Sequence, residues 1–220
     1  MLVLKRSFDF VLSAIWLLIF SPAFLLLAIA VRISSPGPAL FRQRRTGRNL
    51  VPFFILKFRT MRVDSSGPAF TLADDPRVTP LGRWMRRTKL DELPQLWNIL
   101  RGQMSFVGPR PIVPELIATN PAAYRKLFRV RPGLTDPASI KYADEAQRLR
   151  RVEDPERYFH DVIAHDKLRI SLDYQHHATT ITDIALLGRT ALVCHRAVMA
   201  ELPRPRFRSL PSRSLASRPS

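Results

Sequence analysis

The chain has 220 residues, 46% of them hydrophobic, with 35 Lys/Arg against 18 Asp/Glu and a formal net charge of +17. That apolar share excludes a disordered chain and leaves room, after an anchor and a tail, for one domain with a real core. The single cysteine, Cys194, excludes an intramolecular disulfide and a multi-cysteine zinc site, and the charge calls for an anionic partner: nucleic acid, anionic lipid or a phosphorylated substrate.

Residues 1–35 read as a membrane anchor. No charge interrupts Phe10 to Val31, about the roughly 20 apolar residues that a spanning helix needs. Ser21 and Pro22 sit at its middle. Pro22 has no N–H for Leu18 and its ring crowds the preceding turn, which predicts a kink or break. Lys5 and Arg6 precede the run; Arg32, Arg42, Arg44, Arg45 and Arg48 follow it. Basic flanks stay in the cytoplasm, and both can stay only if the helix enters, bends at Ser21-Pro22 and leaves by the side it entered. That makes a re-entrant hairpin holding a monotopic protein on the cytoplasmic face. Two other readings compete: a kinked spanning helix whose freed carbonyl is satisfied by its neighbours, and a secretory signal peptide, for which the apolar core exceeds the usual ~7–15 residues.

Residues 36–202 read as a catalytic domain of α/β class, helix-rich with a short sheet. Ser35-Pro36-Gly37-Pro38 is a rigid turn. Eight Lys/Arg and no acid lie between Arg32 and Arg62, a juxtamembrane cluster suited to anionic lipid at about 1 kcal/mol per charge. Val51 to Phe58 predicts one or two strands, and Ser65-Ser66-Gly67-Pro68 a loop. Thr79–Leu90 predicts a helix with Leu81, Trp84 and Met85 on one face. Asp91-Glu92-Leu93-Pro94 opens a second helix with Leu96, Ile99 and Leu100 as its stripe, and Gly102 closes it. Val107-Gly108-Pro109-Arg110-Pro111 is a loop, since prolines around an arginine forbid helix. Pro114–Phe128 reads as a helix interrupted at Pro121, Arg131-Pro132-Gly133 as a turn, and Pro155–Arg169 and Thr182–Met199 as helices. Residues 203–220, rich in Arg, Ser and Pro and without an acid, read as a disordered basic tail.

The chemistry-bearing segment is Thr88 to Leu96, where Asp91 and Glu92 follow Arg83, Arg86, Arg87 and Lys89. Acids in a first helical turn can simply cap it and favour its dipole. Alternatively, Asp91 is a nucleophile and Glu92 a metal-holding neighbour. The helix terminus and the arginines would keep the aspartate ionised and attract phosphate. Carboxylates can form acyl-phosphates, and Mg2+ uses one or two carboxylates plus phosphate oxygens.

At these residues the chain resembles the bacterial sugar transferases that prime glycan synthesis on a polyprenyl phosphate, the monotopic phosphoglycosyl transferases in their compact form. The matching stretches are Lys5-Arg6-Ser7-Phe8-Asp9, Ser21-Pro22, Ser35-Pro36-Gly37-Pro38, Phe41-Arg42-Gln43-Arg44-Arg45-Thr46-Gly47 and Lys57-Phe58-Arg59-Thr60-Met61. They continue through Asp75-Pro76-Arg77-Val78-Thr79, Leu90 to Gln95, Met104 to Pro111 and Arg131 to Thr135, in family order over about residues 5–200. Longer relatives carry four further spanning helices ahead of this core.

The resemblance implies roles. Asp91 matches the nucleophile, and Glu92 the acid supporting Mg2+. Ser21 and Pro22 match the break of the re-entrant anchor. Arg86 matches a phosphate-binding arginine and Arg110 a loop arginine near the nucleotide-sugar, while Lys57 and Arg59 fit the basic wall of that site. Taken singly, without the resemblance, Lys57, Arg59 and Arg110 would each read as exposed or structural residues. The chain departs from the family at Asp136-Pro137, where many members carry glycine. The implied activity moves a sugar-1-phosphate from a UDP-sugar to undecaprenyl phosphate, with release of UMP, on the cytoplasmic face of a bacterial inner membrane. The expected partners are the two substrates and anionic lipid. A membrane-tethered nucleic-acid-binding module is the alternative; it accounts for the charge but leaves the acidic pair and the Pro-Arg-Pro loop idle.

Overall fold

The structure, a computed structural model, describes residues 2–63 and 75–201. The loop expected at Ser65–Pro68 and the tail expected from residue 203 lie outside the described residues.

Two helices open the chain, α1 (Leu2–Ile19) and α2 (Ser21–Ser34), bent by 63° where they meet. The break is local chemistry. Pro22 falls in the first turn of α2, where its missing N–H is tolerated. The Leu18 carbonyl, which Pro22 cannot serve, accepts the Ser21 hydroxyl instead at 2.8 Å. No single helix among the described residues is long and apolar enough to cross a membrane; the bent pair meets that test jointly. Its outer surface is apolar, with Leu18, Leu25, Leu26 and Ile33 exposed by 77%, 63%, 67% and 81%. So large an apolar surface marks a site of contact with lipid or another chain.

The inner side of the pair packs on the body. Leu12, Leu17 and Phe24 lie against a core of Phe53, Ile55, Leu96, Ile99, Met104, Phe106, Val107 and Leu186. Val31 is buried with Phe58 and Met85. Lys5 and Arg6, whose charge supported the topology argument, are spent inside the protein. Lys5 donates to Asp183 at 2.6 Å and to the Val107 carbonyl at 3.0 Å; Arg6 donates to the Ile99 and Leu100 carbonyls at 2.7 Å each. Buried Asp9 accepts the Phe106 amide at 3.1 Å. At the other end, Arg59 donates to the carbonyls of Ser35, Pro36 and Pro38 at 2.6–2.7 Å. The start of α1 and the end of α2 are therefore tied to one body.

Strands β1 (Leu40–Thr46) and β2 (Pro52–Phe58) form an antiparallel hairpin in which Phe41 faces Lys57, Gln43 faces Ile55 and Arg45 faces Phe53. β2 falls within the apolar run the sequence marks; β1, with three arginines in seven residues, carries no such signal. A short parallel pair joins β3 (Ser105–Val107) to β4 (Gly133–Thr135), replacing part of an expected loop and turn. Two glycines permit this crossing, since a Cβ on Gly133 would lie 2.1 Å from the Gly108 nitrogen.

The helices α3 (Pro80–Thr88) and α4 (Gln95–Leu100) lie between the hairpin and the parallel pair in sequence. Trp84, expected on the inner face of α3, is 38% exposed, while Met85 is fully buried. Pro121 divides a 3-10 turn (Pro114–Thr119) from α5 (Pro121–Leu127). Three short helices follow, α6 (Pro137–Lys141), α7 (Glu145–Leu149) and α8 (Pro155–Tyr158). A π-turn leads into α9 (His165–His177), and α10 (Thr180–Glu201) ends the described chain. α5 and α9 share a second core built on Tyr124, Leu127, Phe128 and Leu168. Asp136 caps α6 by accepting the Ser139 amide and ties it to α9 through Ser171 at 2.6 Å.

Candidate active site

The site is built from the approach of α3 to the strand that precedes it. Thr79 caps α3 by accepting the Gly82 amide at 2.9 Å. Gly82 is obligatory there, because a Cβ would stand 2.1 Å from the Thr60 carbonyl oxygen. One turn later, on the same helix face, Arg86 donates its Nε to the Thr60 hydroxyl at 2.8 Å. Burial lowers the Arg86 pKa, and the Asp91 charge opposes it.

Lys89, in the left-handed region at φ 60, ends α3 and starts a 3-10 turn, Leu90–Glu92. The expectation that Asp91 and Glu92 open the second helix is corrected here: α4 begins at Gln95, and neither carboxylate caps it. Glu92 instead accepts Lys57 at 3.0 Å and Arg110 on both oxygens, one bond at 2.8 Å. Arg110 also donates to the Leu134 carbonyl at 3.1 Å. Its loop is pinned by Gly108 N–H to the Thr135 carbonyl at 3.1 Å and by Gly133 N–H to the Pro109 carbonyl at 2.9 Å. Asp91 is 7% exposed, and its Oδ1 has no hydrogen-bond partner among the described residues.

The electrostatics separate the two acids. Burial, then the neighbouring Glu92 charge, pushes Asp91 up to about 6, against the pull of Lys57, Lys89 and Arg86. Asp91 is thus still ionised at neutral pH, though its pKa lies above the ordinary carboxylate value. Burial also penalises Glu92, but the Arg110 and Lys57 charges outweigh it and hold Glu92 well below the usual range. Burial lowers Lys57, with Glu92 opposing. Arg110 is raised, its burial overcome by Glu92.

Of the basic residues singled out from sequence, Lys57 and Arg110 meet at Glu92, and Arg86 and Asp91 feel each other's charge. Arg59 is directed elsewhere: it is 7% exposed, with its guanidinium spent on the carbonyls after α2. Among the described residues no group of three or more His, Cys, Asp or Glu could hold a metal. Mg2+ needs one or two carboxylates beside phosphate oxygens; Asp91, with its unpartnered Oδ1, fits that need, whereas both oxygens of Glu92 are taken by Lys57 and Arg110. Sequence reasoning missed Thr60 as the partner of Arg86. It also missed Arg45, which carries the charges of Arg110 and Glu92 as neighbours. The signal for Arg45 was the period-two alternation of a strand.

Comparison with known proteins gives the family of the chain. The family model described as bacterial sugar transferase matches residues 1–197. A UDP-glucose:undecaprenyl-phosphate glucose-1-phosphate transferase of Escherichia coli (strain K12) is 44% identical over 161 residues, 69% of this chain and 34% of the relative. One of the same name from Caulobacter vibrioides is 45% identical over 142 residues, 62% of this chain and 53% of the relative. An exopolysaccharide production protein PSS of Rhizobium leguminosarum bv. phaseoli is 41% identical over 157 residues, 64% of this chain and 74% of the relative. The chain thus spans about a third to a half of the first two relatives. With a family model matched over almost its whole length, the chain belongs to the bacterial sugar transferases.

Proposed function

We propose that this chain transfers a sugar-1-phosphate from a UDP-sugar to undecaprenyl phosphate and releases UMP, the priming step of a surface polysaccharide. One observation carries the reading: a buried carboxylate with a free oxygen, Asp91, stands beside a carboxylate already matched by Lys57 and Arg110. Asp91 Oδ1 attacks the β-phosphorus of the UDP-sugar. The bond from that phosphorus to the bridging oxygen breaks, and UMP leaves with the electron pair. A phosphate oxygen of the lipid then attacks the same phosphorus, and the Asp91 carboxylate departs.

Desolvation makes Asp91 a more basic nucleophile without protonating it at neutral pH. Arg86, fixed by Thr60, feels the charge of Asp91, where the β-phosphate charge must sit during attack. Arg110 and Lys57, oriented by Glu92, face the leaving UMP. Catalysis of this kind rests mainly on positioning and charge neutralisation. Mg2+ held by Asp91, with Glu92 as the neighbouring acid, would neutralise diphosphate oxygens.

The second substrate is a lipid, and the anchor suits it. Both ends of the bent α1–α2 pair are bonded to the catalytic body, at Val107, Ile99 and Leu100 and at Arg59. A pair that enters and leaves by one side, on the cytoplasmic face of the inner membrane, keeps these bonds. A spanning pair would break one set. The nucleic-acid alternative has no support among the relatives named above. Their names make UDP-glucose the first donor to test: purified protein, UDP-glucose and undecaprenyl phosphate should release UMP, with Asp91→Asn at background. Absence of UMP with every UDP-sugar tried would overturn the reading.

A further inference from the structure

Arg45 is a cation near Arg110 and Glu92 with no role in the transfer step as proposed. In the hairpin register, Arg45 faces Phe53, Gln43 faces Ile55 and Phe41 faces Lys57. Residues directly opposite in an antiparallel pair project to one side of the sheet. Gln43, Arg45 and Lys57 therefore leave the hairpin on the face that buries Phe53 and Ile55, whereas Arg42 and Arg44 are exposed on the other. Arg45 Nε and Nη2 both donate to Gln43 Oε1, at 3.1 and 2.6 Å, and Nη1 lies 3.5 Å from the carbonyl of Pro111, next to Arg110.

The guanidinium is thus fastened at the edge of the loop that carries Arg110, by a neutral partner. No carboxylate lies within ion-pair distance of it among the described residues, and Glu92 is already taken by Lys57 and Arg110. A guanidinium drawn out of water beside another, with no acid of its own, is unfavourable unless something anionic arrives. Burial, then the Arg110 charge, pushes Arg45 down to about 10, with Glu92 and Glu115 opposing. The planar fork of arginine matches the oxygens of a phosphate group.

We propose that Arg45, held in place by Gln43, binds a phosphate oxygen of a substrate, whether the diphosphate of the donor or the monophosphate of the lipid acceptor. This rests on the phosphoglycosyl-transfer reading. The test compares the parent with Arg45→Ala, Arg45→Lys and Gln43→Glu, measuring KM for UDP-glucose and for undecaprenyl phosphate separately, kcat, and the melting temperature. Gln43→Glu is decisive, because it gives Arg45 a carboxylate where the neutral amide stood. The protein should melt no lower, while the substrate loses its cation.

Loss of one charge-assisted contact should raise KM roughly tenfold to a hundredfold in Arg45→Ala and nearly as much in Gln43→Glu, with little recovery in Arg45→Lys. A rise confined to UDP-glucose assigns Arg45 to the donor, and one confined to the lipid assigns it to the acceptor. Both KM values within about twofold of the parent in Gln43→Glu would overturn the proposal, as would a fall in kcat alone. If the parent releases no UMP from any UDP-sugar, the transfer reading fails by itself. Calorimetric titrations with UDP and with undecaprenyl phosphate then decide Arg45, and unchanged affinity for both in Gln43→Glu overturns it.

Discussion

A carboxylate kept from water next to a second carboxylate is a poor anion, and Asp91 is in that position. Its pKa is raised from the ordinary 3.8 to about 6 by burial and by Glu92. The stabilisation linked to this group is therefore full below pH 3.8 and is lost as pH rises through about 6. Asp91→Asn cannot ionise, so at pH 8 it should be more stable than the parent by about 3 kcal/mol, and equal to it near pH 3.5. Denaturant titrations of both proteins across that range measure the difference. The same carboxyl must be ionised to attack, so the rate of UMP formation should fall as pH drops through about 6. Glu92 has the opposite sign: its depressed pKa gives stability that is present above 4.5 and lost only on further acidification. Glu92→Gln leaves Lys57 and Arg110 facing an amide. It should cost about 3 kcal/mol in unfolding free energy and nearly all activity, even at high Mg2+. Activity near that of the parent would remove Glu92 from the site.

At the scale of elements, α3 sets the position of Arg86 through one glycine. Gly82→Ala drives a methyl against the Thr60 carbonyl. The helix should shift, with a loss of about 2 kcal/mol in stability and a fall in kcat from displaced Arg86, read by thermal melts and steady-state kinetics. The break at Ser21-Pro22 was legible in the sequence because a proline's missing donor is a property of that residue alone. What the sequence does not contain is the Ser21 bond to Leu18 that completes it. The pair Asp91-Glu92 was legible as chemistry but not as geometry. Its salt bridges come from Lys57 and Arg110, 35 and 18 residues distant from Glu92 in sequence. β3 and β4 escaped notice for the same reason: three residues each, they exist only by pairing with one another across the 3-10 turn and α5. The resemblance assigns Arg59 to the basic wall of the site, but its guanidinium is spent elsewhere. Alternate strand residues point to opposite faces, but Arg59 lies past the end of β2 and turns back to the carbonyls after α2. Arg45 was lost among the arginines of β1, because the alternation that separates it from Arg42 and Arg44 becomes visible only once β1 is known to be a strand.

For the molecule as a whole, catalytic body and anchor form one unit, since both ends of α1–α2 are bonded to the body that holds the site. Replacing Ser21 and Pro22 by Leu removes the cause of the 63° bend, worth about 3 kcal/mol against a straight helix. In a Cys194→Ser background, a cysteine at position 2 should be closed to an impermeant periplasmic thiol reagent in the parent and labelled in the straightened variant; labelling of the parent would exclude the re-entrant pair. The claim on which the rest depends is that Asp91 carries the phosphosugar between donor and lipid. Intact-protein mass spectrometry after brief exposure to UDP-glucose and Mg2+, with undecaprenyl phosphate left out, tests it most directly. The account predicts a species heavier by one phosphosugar, mapped to the Asp91 peptide, discharged on adding undecaprenyl phosphate and absent in Asp91→Asn. Full turnover to UMP and lipid-linked sugar by a protein that never gains that mass, or by Asp91→Asn, would contradict it.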